Sequence, residues 1–158
     1  MANTQSMTTS FMGELMTATH NFGTAPTRGT TAADTFKAAL YLTSATVNAA
    51  TTAYSATGEV SGTGYTAGGV TVTNATAPIA TNSSATAGVA YWTPSASITY
   101  TTVTLSTAFD AVLIYNSTQS NKAVSVHTFG SQTITAGTFT LTMPSNTTTT
   151  ALLRLSTT

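Results

Sequence analysis

The chain of 158 residues contains no cysteine and very few charged residues. The absence of cysteine excludes disulfides, thiolate metal ligands and cysteine nucleophiles. Charged residues make up 5% of the chain, against about 25% in ordinary soluble domains. With a formal net charge of zero and no basic run, the sequence lacks the electrostatic footprint of nucleic-acid binding. We therefore expect no nucleic-acid partner.

The missing charge is replaced by threonine, alanine and serine. Free monomers usually keep a charged surface and a net charge away from zero, because both oppose association. A neutral, threonine-rich surface is better suited to a protein that is assembled against other copies or partners. We therefore expect a homo-oligomer, a dimer or a trimer, bound to neighbouring proteins.

Long apolar runs are also absent. The most apolar window near the N-terminus, residues 11–16, is short and is interrupted by Gly13 and Glu14. It is too short to span a bilayer, and it lacks the positive flank of a secretory signal. The sequence therefore predicts no membrane partner.

The most informative stretch covers residues 109–130. Residues 111–115 (AVLIY) form an unbroken apolar run, residues 116–121 (NSTQSN) are a polar turn cluster, and residues 122–129 (KAVSVHTF) alternate. This pattern predicts a β-hairpin whose first arm is covered on both faces and whose second arm is half exposed. We take this hairpin as the centre of the fold.

Further strand candidates lie at roughly 8–12-residue intervals, which is typical of an all-β sandwich or barrel. They are residues 35–42, 70–75, 88–93, 97–105, 132–135, 138–143 and 151–155. Residues 44–55 are expected to be a polar loop, and the glycines of residues 57–69 are expected to serve turns that need a positive φ. The predicted fold is an antiparallel β-sandwich, jelly-roll-like or Greek-key, over residues 34–158. Open sheet edges predict closure or pairing with a partner.

Residues 1–33 are expected to form a separate N-terminal element. Residues 1–9 predict a mobile arm, residues 10–20 a short amphipathic helix, and residues 21–33 a loop. Ser10 is the expected N-cap and Glu14 lies in the expected first turn. The apolar side chains share one face, which either packs on its own sandwich or docks on a neighbouring subunit; as partner-binding residues we name Phe11, Met12, Leu15 and Met16.

Candidate catalytic and metal-binding residues are few. His20 is expected at a helix C-terminus and His127 on the outward face of a strand, positions that need no catalytic role, and no G-x-S-x-G motif supports a nucleophile–base pair. The dispersed acidic residues do not form a metal-ligand cluster. The glycines of residues 62–69 lack the lysine and the following helix of a phosphate-binding loop. We expect no enzyme activity, no metal and no cofactor.

A different class of function, a carbohydrate- or ice-binding module, is the third alternative, and one feature favours sugars whereas another argues against ice. Tyr91, Trp92 and Tyr100 could provide an aromatic platform for sugars, although packing in the core is the more frequent reason for such residues. The paired threonines are irregularly spaced, whereas an ice lattice requires a fixed period.

Several ordered segments resemble small virion structural proteins of tailed bacteriophages. They are residues 36–42 (FKAALYL), 52–69 (TAYSATGEVSGTGYTAGG), 112–129 (VLIYNSTQSNKAVSVHTF) and 137–141 (GTFTL), and the similarity extends over about residues 11–155. The resemblance implies a β-rich module on the surface of the phage particle, bound to the major capsid protein or to neighbouring virion proteins, with no catalytic residues. It leaves open whether the chain is a capsid decoration (cement) protein or a fibre, adaptor or receptor-binding part of the tail.

Overall fold

A computed structural model describes residues 2–16, 18–22, 33–73, 77–81 and 88–156 of the chain. The described part is mostly antiparallel β-sheet, as the all-β class predicts. The elements are β1 (Ser6–Met7), α1 (Thr9–Met16), β2 (Phe36–Leu42), β3 (Val70–Thr71), β4 (Ile79–Thr81), β5 (Val89–Trp92), β6 (Ile98–Asn116), β7 (Lys122–Leu141) and β8 (Leu153–Ser156).

The predicted central hairpin is confirmed, with β6 and β7 joined by residues 117–121. Ser120 and Asn121 adopt positive φ angles of 53° and 59°, which a tight turn between twisted strands requires. The first arm is buried on both faces, as predicted. The prediction of a half-exposed second arm was wrong at its start, because residues 123–126 are all buried.

The predicted separation into short strands was wrong for this hairpin. Predicted strands 97–105 and 111–115 both belong to β6, and predicted strands 123–129, 132–135 and 138–143 run together in β7 as far as Leu141. The register shifts several times along the pair, and Thr102 and Ala136 have positive φ angles. Bulges of this kind bend a strand without ending it, so the residues that suggested turns are bulges within two long strands.

The strands form two antiparallel sheets. The larger has the order β1-β7-β6-β2-β3 and the smaller the order β4-β5-β8, and in the described part of the chain neither sheet closes on itself. Strands β2, β3, β5 and β8 overlap predicted strands, although residues 74 and 75 of one prediction lie outside the described residues. The short strands β1 and β4 were not predicted, because two or three residues carry no recognisable period.

Around β2 and the hairpin turn, the larger sheet is covered on both faces. One face carries Phe36, Leu40, Val112 and Ile114, and these pack in one cluster with Trp92 of the smaller sheet and other apolar residues. The opposite face packs in a second cluster, which contains Ala39, Tyr41, Leu113, Tyr115, Ala123, Val126, Ala45, Val47 and Tyr54. Residues of the predicted polar loop 44–55 therefore cover the second face, which explains why the start of β7 is buried.

The glycine-rich segment contains the positive φ angles that the sequence predicts. Gly69 has a φ of 72°, and a Cβ built there would lie 1.6 Å from the carbonyl oxygen of Ala38. Only glycine allows this close approach of two backbones. The segment is thereby held against β2 and leads directly into β3.

Candidate docking groove

Helix α1 begins one residue before the prediction and ends at Met16, four residues before the predicted end. Ser10 is therefore a helical residue and not the N-cap, and Glu14 is not in the first turn. The hydroxyl of Thr8, the residue before the helix, donates to the carbonyl oxygen of Ala123 at 3.1 Å. The entry to the helix is thus attached to β7 by this hydrogen bond.

The apolar face of α1 packs on its own chain. Phe11 is 2% exposed and belongs to the main core cluster, and Leu15 is partly buried against the same cluster. This packing agrees with the first of the two alternatives left by the sequence, and whether these residues also bind a partner stays a prediction. Met12 is 47% exposed and can contact a partner, whereas the side chain of Met16 lies outside the described part.

The described residues before α1 do not form the mobile arm that the sequence predicts. Asn3 donates to the carbonyl oxygen of Leu42 at 3.1 Å and to Asp110 Oδ1 at 2.6 Å, and its own Oδ1 accepts from the Val47 amide at 3.0 Å. Ser6 and Met7 then pair with β7 as strand β1. Hydrogen bonds therefore hold this short polar segment in place, and the hydropathy pattern of a sequence gives no sign of such bonds.

An aromatic cluster lies beneath α1. The ring centroids of Phe22 and Phe36 are 4.3 Å apart, those of Phe22 and Trp92 are 4.7 Å apart, and those of Phe11 and His20 are 4.9 Å apart. Such pairs stabilise a core by about 0.5–1.5 kcal/mol beyond their buried area. The cluster joins the helix region to both sheets and forms a firm base for the surface above it.

A narrow apolar groove of about 90 Å³ lies between α1 and the smaller sheet. We call it the docking groove, and its lining is Met7, Phe11, Leu15, Phe22, Pro78, Ala90, Tyr91, Trp92, Leu153 and Leu155. No lining residue is charged. In the described part of the chain the exposed large apolar side chains are Met12, Ile79 and Leu155. Leu155 lines the groove and Ile79 follows the lining residue Pro78, so exposed apolar surface gathers at its rim.

A chain of polar contacts fixes this region to the central hairpin. Lys122 Nζ donates to Glu14 Oε1 at 2.6 Å, and His20 Nε2 lies 2.7 Å from Glu14 Oε2. His20 Nδ1 lies 3.0 Å from Asn116 Nδ2, which also donates to Asp34 Oδ2 at 2.7 Å. We call these five residues the polar chain. It links α1, the segment after it and both ends of the hairpin turn.

The geometry determines the tautomer of His20. Asn116 Oδ1 accepts from the amides of Thr118 and Gln119, so Asn116 Nδ2 must be the group that faces the imidazole. His20 Nδ1 then accepts a hydrogen bond, and Nε2 carries the proton donated to Glu14. Burial lowers the pKa of His20 despite the hydrogen bond to Glu14, which favours the charged ring. His20 is thus a buried neutral histidine beyond the helix, and not the predicted residue at a helix C-terminus.

The carboxylate of Glu14 is stabilised by its partners. Burial alone would raise its pKa, but hydrogen bonds from Lys122 and His20 outweigh burial and lower the pKa below its usual value. Glu14 is therefore ionised at neutral pH and holds α1 against β7. The sequence placed Glu14 on the helix but gave no sign of its partners, which lie six and 108 residues away.

A second polar cluster fixes the loop that covers the other face of the sheet. Glu59 accepts hydrogen bonds from the hydroxyls of Tyr54 at 2.6 Å and Tyr65 at 2.7 Å, and from the Gly68 amide at 2.7 Å. Burial, together with the nearby Glu59 carboxylate, raises the pKa of Tyr115 to about 12, so this phenol remains protonated. The Tyr115 hydroxyl donates to the Gly68 carbonyl at 2.8 Å. The hydroxyls of Tyr54, Tyr65 and Tyr115 thus act as hydrogen-bond donors that shape the loop.

The aromatic platform suggested for carbohydrate binding does not form. Trp92 and Tyr100 are both buried, and the Tyr100 hydroxyl donates to the Ala38 carbonyl oxygen at 2.8 Å. Tyr91 instead lines the docking groove. Packing in the core, which the sequence analysis treated as the more frequent role, is what the structure shows for Trp92 and Tyr100.

Among the described residues, Ser125 and His127 form a serine–histidine contact. Ser125 Oγ lies 2.9 Å from His127 Nε2, two residues along the same strand. His127 lies opposite the core residue Val112 and is partly buried, so its predicted outward position was wrong; burial lowers its pKa to about 4. A reactive serine requires a third group that orients the histidine, and within the described ranges no acidic side chain bonds to His127.

Metal-binding clusters and membrane-spanning helices are absent from the described residues. Among the described residues no three histidine or acidic side chains come close enough to hold a metal ion, and no helix is long and apolar enough to cross a membrane. No family model matches the chain, and the comparisons with curated proteins and with solved structures found no match either.

Sequence reasoning found one side of the groove and missed the other. Phe11 and Leu15 were named for the face they share on α1, and both line the groove. Pro78, Leu153 and Leu155 come from segments that are distant in sequence, and only the sheet topology brings them to α1. No local pattern in the sequence distinguishes these residues, because the exposure of Leu155 is visible only in the structure.

Proposed function

We propose that this chain is a non-enzymatic structural protein of a tailed-phage particle, and that it acts as a capsid decoration protein on the outer surface of the head. In this proposal the two sheets form a β-sandwich of jelly-roll or Greek-key type that faces the solvent. The docking groove contacts the major capsid protein. The proposal rests on the resemblance noted above and on the composition of the chain.

The observation that carries the proposal is the apolar groove in a nearly uncharged chain. Contiguous apolar surface is typical of protein–protein contacts, and the rim of this groove carries Leu155, with Ile79 next to it. The occupant that fits is an apolar segment of the major capsid protein, because the groove offers no charge for a charged peptide. A stable site of this kind should bury more than about 1,000 Å² in total, so surface around the groove must also take part.

The number of copies in purified particles tests the proposal. Quantitative mass spectrometry against the major capsid protein should give a simple fraction of the capsid count. A handful or tens of copies would instead assign the chain to the tail as a fibre, adaptor or receptor-binding component. Absence from particles would overturn a virion role.

A pair of matched variants tests the groove itself. Leu155→Lys places a charge on the groove wall, and Thr57→Lys places the same charge on an exposed loop elsewhere. We expect Leu155→Lys to reduce binding to undecorated capsids on the order of tenfold or more, since burying an unpaired charge is costly. Thr57→Lys should bind as the wild type does. Equal binding by both variants, with both folded by circular dichroism, would exclude the groove.

A further inference from the structure

The outer edge of β7 is the longest unpaired strand edge in the described part of the chain. Strand β1 covers β7 at Ser125 and Val126 alone, and Thr4 then turns away to donate to the Val47 carbonyl oxygen. Beyond this point no described strand pairs with the outer side of β7, which continues to Leu141. We call residues 128–141 the free edge; at about 3.4 Å per residue it extends over roughly 45 Å.

Natural proteins usually protect such edges with charged side chains, proline or bulges, because the unpaired N–H and C=O groups bind any available strand. The free edge contains neither charge nor proline, and from residue 123 to residue 153 the sequence has no charged residue. Its protection is limited to a shift of register between Thr128 and Gln132 and a bulge at Ala136. The edge is therefore open to pairing on both sides of Ala136, over residues 132–135 and 137–141.

The side-chain pattern of the free edge selects a partner. Thr133, Thr135, Thr138 and Thr140 are exposed, whereas Ile134, Phe139 and Leu141 are partly buried against the core. A strand that pairs here must place threonine on the outer face of the sheet and apolar side chains on its inner face. The free edge of a second copy has this pattern itself, and its neutral composition creates no repulsion between copies.

We propose that two copies of this chain associate through antiparallel pairing of their free edges across a twofold axis. Such an interface is isologous, because each edge offers the other the same donors, acceptors and side chains. Threonine pairs across adjacent strands stabilise such pairing. The dimer joins the two larger sheets into one continuous sheet and leaves the docking groove of each copy free.

The oligomeric state of the purified chain tests this proposal without any phage particle. Sedimentation velocity over a concentration series should show a dimer for the wild type. The double variant Thr133→Lys/Thr138→Lys should weaken the dimer by on the order of tenfold or more, because like charges then face each other across the edge. The double variant Thr133→Glu/Thr138→Glu should weaken it equally.

Mixing the two double variants is the decisive step. Opposite charges then meet across the edge, so we expect the mixture to form a heterodimer that is stronger than the homodimer of either variant alone. Thr57→Lys, with its charge in a distant loop, should dimerise as the wild type does. A wild-type monomer or trimer, or edge variants that dimerise unchanged, would overturn the proposal. Because this assay uses no capsid, its failure is separate from failure of the decoration role.

Discussion

Replacing Asn116 by alanine should destabilise the protein more than any other single change in the polar chain. The side chain is fully buried and makes four hydrogen bonds, to Asp34, His20 and the amides of Thr118 and Gln119. The alanine variant leaves the Asp34 carboxylate with one partner fewer and the two turn amides dependent on water. The link from His20 to the hairpin would be lost, whereas the contact of Glu14 with Lys122 would remain.

The expected size follows from these contacts. A hydrogen bond to a charged group contributes about 1.5–3 kcal/mol, and a buried polar group left without a partner costs about 1–3 kcal/mol. Water can reach the partly exposed turn amides, so we expect a total loss of about 3 kcal/mol. That loss is a large fraction of the roughly 5–15 kcal/mol typical of a domain.

Urea unfolding followed by circular dichroism measures this loss. The control is Asn48→Ala, which removes a bond from the Ala50 amide at an exposed turn and should cost less than about 1 kcal/mol. Asn116→Ala could instead have a free energy of unfolding within 1 kcal/mol of the wild-type value, as Asn48→Ala should. In that case the polar chain would not hold the N-terminal segment, and the account of the groove given above would be refuted.

Three further predictions concern stability. Gly69→Ala should prevent stable folding, because its Cβ would collide with the Ala38 backbone, whereas Gly130→Ala, with open space around it, should behave as the wild type in thermal unfolding. The pKa of His127 is lowered to about 4, so between pH ~6.5 and pH ~4 the unfolded chain binds more protons at this residue; His127 should lower the free energy of unfolding by on the order of 3 kcal/mol over this range, and His127→Gln should remove that part of the pH dependence in urea titrations and leave the parts due to His20 and Glu14. Tyr65→Phe removes the hydroxyl that bonds Glu59 and the Leu40 amide, and should lower the urea midpoint by an amount equivalent to about 1–3 kcal/mol.

The elements that the sequence predicted best are those in which local pattern and tertiary role agree. The run at residues 111–115 is apolar because both faces of β6 are covered, and the cluster after Asn116 is polar because it forms the turn. Where the two disagree, the prediction failed. Ala123 and Ser125 seemed to alternate with valine as an exposed face, but both are buried: Ala123 packs in the cluster that contains Val47, and Ser125 lies opposite Ile114 on the other face.

The site was harder to predict than the fold, because its parts are joined by contacts distant in sequence. Hydrophobic spacing on α1 identified Phe11 and Leu15 but could not tell an internal from an external face. That choice depends on Trp92 and Leu153, which the two sheets place against the helix. The pairing of Glu14 with Lys122 spans 108 residues, and no local signal precedes it.

The distribution of the few charges strengthens the argument for an assembled protein. Each described acidic side chain bonds within the chain: Glu14 to Lys122 and His20, Asp34 to Asn116, Glu59 to Tyr54 and Tyr65, and Asp110 to Asn3. These carboxylates hold the N-terminal segment and the covering loop in place, so the surface is still less acidic than the composition suggests. Such a surface lacks the repulsion that keeps free monomers apart. In both proposals the scarcity of surface charge is therefore the common feature, since it leaves the free edge of β7 open to a second copy and the docking groove open to an apolar partner.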